Sequence, residues 1–211
     1  MHPTPLSRLA TLVLVAGLAL PGCTTMNGGM AGTAAPMSRE ALMAHTSGWS
    51  QASRMAVTAM TETYGAPDAV TATTAMWGPT GPWKRTVVYS TEVPHEFPGS
   101  HTDVMEQFVD YRVPPDMFDE LAAYDGSVVV QRTNGEISAR CDLEAANLLA
   151  LNLADQIVRG QRTVAEARAE YGRQIMAFKA GQPAPLAERL AFTPAATGTA
   201  DPDRPLMSGG Q

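Results

Sequence analysis

The chain has 211 residues, 45% of them hydrophobic and 17% charged, with 18 Gly, 16 Pro and a formal net charge of −6 at pH 7. That length and balance fit one globular domain with loose ends, and set aside a fibrous or wholly disordered chain. Asp and Glu outnumber Lys and Arg by 21 to 15 with no basic cluster, so nothing would neutralise a row of phosphates and no nucleic-acid partner is expected.

Arg8 precedes a 12-residue apolar run, Leu9 to Leu20. A helix needs about 20 such residues to cross a bilayer core, so the run is expected to be a signal peptide, residues 1–22, and not a membrane span. Leu20-Pro21-Gly22-Cys23 has the form of a bacterial lipobox, which makes Cys23 the expected site of lipidation, by palmitate or a similar acyl chain. One acyl chain holds a protein reversibly, whereas two or three hold it durably, each buried methylene contributing about 0.8 kcal/mol. Thr24 in place of Asp after that cysteine points to the outer membrane, with the protein facing the periplasm. With Cys23 acylated, Cys141 is left without an intramolecular disulfide partner, and it is expected as a small buried hydrophobe on a strand.

Residues 23–37 mix Gly, Thr, Ala and Met without periodicity and are expected to be a flexible tether. A single domain over 38–193 and a disordered Pro- and Gly-rich tail over 194–211 follow. Ser38 and Ser50 suit N-caps of two helices, the second with Ala52, Met55, Ala56, Ala59, Met60 and Tyr64 at helical spacing. Val70 to Trp77 and Trp83 to Thr91 form a hairpin about a Pro/Gly turn, and Asp103 to Val113 alternates as a strand with one wet face. Pro115 opens a short helix containing Phe118 and Leu121. Asn134-Gly135 predicts a type I′ turn pairing Val128–Thr133 with Glu136–Cys141. Asp142 is expected to cap a leucine-rich helix to Arg159, and Thr163 with Glu166 forms a capping box opening a last helix to Ala180. The order ααβββαββαα implies an α+β fold, an antiparallel sheet of about five strands with helices on one face.

Three groups of residues carry chemistry. Glu92 to Asp103 places His95 and His101 among acids on a Pro-rich loop; imidazole with carboxylate suits zinc or copper, though a five-residue gap matches no standard metal motif. Trp77, Trp83, Lys84 and Arg85 flank the Pro/Gly turn and would make a partner-binding patch if exposed, or core if not. Catalysis finds little support, because G-x-S-x-G, H-E-x-x-H, P-loop and G-x-G-x-x-G patterns are all missing.

Four segments, Tyr64-Gly65-Ala66-Pro67-Asp68, Gly81-Pro82-Trp83-Lys84-Arg85-Thr86, Asp110-Tyr111-Arg112-Val113-Pro114 and Tyr124-Asp125-Gly126-Ser127-Val128, resemble a family of uncharacterised proteobacterial exported proteins and lipoproteins. A weaker likeness, through the lipobox, the tether and Gly65-Ala66-Pro67, is to the small outer-membrane assembly lipoproteins. The first resemblance implies location and no activity. The expectation is therefore a non-enzymatic domain anchored in the outer membrane by acyl chains on Cys23 and binding another envelope protein. The alternative is a small-ligand or metal binder using His95 and His101.

Overall fold

A computed structural model of the protein describes residues 37–207. The expected signal peptide, the lipidated Cys23 and nearly all of the tether lie outside those residues. Both serine caps form: Ser38 Oγ accepts from Ala41 N ahead of α1 (Arg39–His45), and Ser50 Oγ accepts from Ser53 N ahead of α2 (Gln51–Tyr64). Each hydroxyl satisfies a backbone N–H that the helix itself leaves unpaired. The α+β architecture is observed, with a six-stranded antiparallel sheet in the order β1-β2-β3-β4-β6-β5. Its strands are β1 (Ala69–Val70), β2 (Thr74–Trp77), β3 (Arg85–His95), β4 (His101–Asp110), β5 (Val128–Gln131) and β6 (Glu136–Cys141).

The stretch expected to be an irregular loop is mostly strand. β3 runs on to His95 and β4 begins at His101, so only residues 96–100 connect them. Pro94 is tolerated in β3 because β2 ends its pairing at Tyr89; beyond it, among the described residues, one side of β3 has no neighbour needing a donor. Pro115 opens a 3-10 turn, Pro115–Met117, leading into α3 (Phe118–Tyr124).

The β5–β6 turn departs from the type I′ expectation. Gln131 pairs with Glu136 across the loop 132–135, where Gly135 has φ +66° and Asn134 has none of the positive φ that type I′ requires. Gly135 N donates to Gln131 O at 2.8 Å, and the segment expected as a disordered tail comes back onto this loop. Thr199 is buried there, Asp201 N donates to Arg132 O at 3.2 Å, and Arg132 pairs with Asp201 and Asp203.

Helix α4 (Glu144–Val158) is the central helix, as its leucines predict: Leu149, Leu151, Leu153, Ala154 and Ile157 are all interior. It begins after Leu143, not after a cap by Asp142, whose carboxylate instead accepts the Cys141 thiol. The predicted capping box of Thr163 and Glu166 starts α5 (Val164–Lys179), which lays Ala167, Tyr171 and Ile175 on α4. A four-residue α6 (Pro185–Glu188) follows. No helix among the described residues is long and apolar enough to cross a membrane.

Helices α2 and α4 share one face of the sheet, because a single β4 side chain meets both: Gln107 Nε2 approaches Met60 Sδ of α2, while Gln107 Oε1 accepts from Asn147 Nδ2 of α4 at 3.0 Å. The other face of β4 carries Glu106, Phe108 and Asp110, and ion pairs and stacking cover it. Arg85 lies 3.6 Å over the Phe108 ring and pairs with Glu136, which also meets Lys84.

Candidate metal centre at the end of the sheet

His95 and His101 are register partners at the far end of the β3–β4 hairpin. Residues directly opposite on neighbouring strands hold their Cβ atoms about 5 Å apart, so the rings must meet, and their centroids are 4.9 Å apart. Asp103 is two residues along β4 from His101 and points to the same side of the strand. One donor atom from each of the three lies within 4.8 Å of the others, so His95, His101 and Asp103 can hold a metal ion.

The surroundings orient each donor. His101 Nδ1 lies 2.8 Å from the Gly99 carbonyl, which can accept only from an N–H, so Nε2 is turned towards Asp103 Oδ1 at 3.1 Å. Ser127, just before β5, donates its hydroxyl to Asp103 Oδ2. That same hydroxyl is 3.4 Å from His95 Nδ1; its single proton goes to the closer carboxylate, so His95 does not prime it as a nucleophile. His95 Nδ1 is 3.4 Å from Asp103 Oδ2, and Nε2 on the other edge is 3.6 Å from Asp125 Oδ1. Asp103 is 1% exposed, yet its Oδ1 has no aligned hydrogen bond, the His101 contact being an ionic one. A buried carboxylate oxygen is costly unless a cation faces it, a part taken by the protonated His101 ring or by a metal ion in place of its proton.

Charge is concentrated here. The Asp103 carboxylate, aided by the Cys141 sulfur and the Gly99 carbonyl, pushes the His101 imidazole up to about 11 against the effect of its burial. Burial pushes the Asp125 carboxyl up, with the Ser127 N–H opposing. Burial also raises the Cys141 thiol, which His101 partly offsets. Phe97 fixes the connection between the strands: it packs 5.1 Å from Tyr171 and edge-on to Tyr124, with Arg168 3.8 Å over its ring. A cleft of about 300 Å³ reaches Asp103 and Ser127 from the side of Arg140, and the two histidine side chains are partly exposed.

His95 and His101, singled out from the sequence, are thus brought together. Asp103 joins them, and its i, i+2 spacing from His101 on a strand was a usable signal. Asp125 and Ser127 carry no such signal; the α3–β5 connection delivers them. Of the patch of Trp77, Trp83, Lys84 and Arg85, the two tryptophans are not on the surface, while Lys84 and Arg85 are partly exposed. Trp77 and Trp83 are 1% and 2% exposed, and their indole N–H groups donate to Gly65 O and Glu144 Oε1. Burial with a satisfied N–H is the core alternative for a tryptophan pair. Lys84 and Arg85 are held by Asp110 and Glu136.

No protein-family model, curated protein or solved structure matches the chain. The family resemblance therefore rests on the four sequence segments quoted for it.

Proposed function

We propose that the protein is an exported, lipid-anchored domain that binds a divalent transition-metal ion, zinc foremost, through His95, His101 and Asp103. The supporting observation is the convergence of their donor atoms within 4.8 Å on paired strands. Two imidazoles and a carboxylate suit Zn²⁺, and with no thiolate or thioether in the group soft Cu⁺ is disfavoured, leaving Cu²⁺ as the strongest competitor. Anchoring through Cys23 at the outer membrane rests on the lipobox and on Thr24. Binding of another envelope protein keeps the same anchor but loses Trp77 and Trp83 as its surface.

The test uses tag-free full-length protein extracted in detergent, stripped with a chelator and titrated with Zn²⁺ and Cu²⁺ by calorimetry in two buffers. One zinc per chain is expected, with proton release because His101 starts protonated, and with binding lost in Asp103→Ala and in His95→Ala/His101→Ala. Binding no stronger than the buffer's own, or unchanged in the double variant, overturns the proposal. Cys23→Ala should leave the membrane fraction; unchanged membrane association would refute the anchor.

A further inference from the structure

Resting on that metal reading, the geometry points to Asp125 as the positioning residue that makes His95 a ligand through Nδ1, with Asp125 itself outside the coordination sphere. The two nitrogens of the His95 ring face different carboxylates, Nδ1 towards Asp103 at 3.4 Å and Nε2 towards Asp125 at 3.6 Å. Asp103 belongs to the metal-ligand group and Asp125 does not, so the cation lies on the Nδ1 edge. For the Nδ1 lone pair to be free, the ring proton must sit on Nε2, and a carboxylate facing Nε2 stabilises that tautomer.

Asp125 is built for the task. It is 4% exposed, its Oδ1 accepts from Ser127 N at 2.8 Å, and its own N–H donates to Leu121 O at the end of α3. Each of the three donors then has its own outer partner: Gly99 for His101, Ser127 for Asp103 and Asp125 for His95. The metal would be bound by His101 through Nε2 and by His95 through Nδ1, a mixed pattern that no sequence feature dictates.

The test is long-range ¹H–¹⁵N NMR of the zinc-loaded full-length protein, which reports which nitrogen of each imidazole is metallated, together with zinc affinities of Asp125→Asn and Asp125→Ala. We expect metallation at His95 Nδ1, an affinity loss of about 10- to 100-fold in Asp125→Ala, and a smaller loss in Asp125→Asn, which keeps a neutral acceptor. Metallation at His95 Nε2, or a zinc affinity of Asp125→Ala within about twofold of the parent's, overturns this role while leaving the metal site standing. Absence of zinc binding by the parent chain overturns both. The NMR readout needs no variant, so it holds even if Asp125→Ala fails to fold.

Discussion

Removing the Glu144 carboxylate should destabilise the fold where α4 meets α2 and the sheet. Glu144 Oε1 accepts from Trp83 Nε1, from Tyr64 Oη at 2.7 Å and weakly from Gln107 Nε2, tying α2, the entry to β3 and β4 to the first turn of α4. In Glu144→Ala the Trp83 N–H, on a side chain 2% exposed, loses its partner, a cost of about 1–3 kcal/mol. Tyr64 is only half-buried, so its hydroxyl can turn to solvent and the loss is that of an ordinary hydrogen bond, about 1 kcal/mol. Loss of a negative charge at a helix N-terminus adds about 0.3–1 kcal/mol. The expected total is about 2–5 kcal/mol, and Glu144→Gln, which keeps the acceptor oxygen, should cost about 1 kcal/mol. Urea unfolding followed by tryptophan fluorescence measures both, and in a Trp83→Phe background the Glu144→Ala penalty should shrink by the share due to the indole. A Glu144→Ala penalty below about 0.5 kcal/mol, or one unchanged in the Trp83→Phe background, would refute the reasoning.

Gly135→Ala should be destabilising on two counts: φ there is +66°, and the added Cβ would fall 2.1 Å from the Thr199 backbone carbon. The positive φ alone is worth about 1 kcal/mol, and because the close atom is backbone the 199–203 segment must be displaced; limited proteolysis should then cut there first, and a stability equal to the parent's would contradict it. The pH profile should report Glu136, whose buried carboxyl Arg85, with Lys84 second, holds below its ordinary 4.5. Its contribution is complete above that ordinary value and is lost as pH falls through the lowered one, so the parent should lose stability on acidification and Glu136→Gln should lose less. Urea midpoints measured from pH 6 down to pH 3 test this, and parallel curves for the two proteins would count against it.

Much of the architecture was legible because its signals are local. Ser38, Ser50 and the Thr163 and Glu166 pair announce helix starts, and the leucine pattern of α4 shows a helix buried on most sides. What escaped depends on pairing. The extension of β3 past Pro94 is hidden because a proline argues against a strand unless one knows that β2 has already ended. Hence His95 and His101 read as two residues at an unpromising spacing, when the spacing that matters runs across strands. Whether Trp77 and Trp83 face out or in is invisible in a sequence, since both outcomes use the same residue type beside the same turn. Asp125 and Ser127 reach the site only through the fold.

The return of residues 199–203 to the β5–β6 loop has a consequence for how the chain is completed. The hairpin is closed by its own ladder, but Asp201, a partner of Arg132, lies 69 residues further along the chain, and the backbone that covers Gly135 lies just before it. A ribosome or an export channel that delivers the chain from its N-terminus releases this cover only after all six strands of the sheet. Until it arrives, the loop 132–135 is bare to proteases and to neighbouring chains, and a single clip after Thr193 would keep it so permanently.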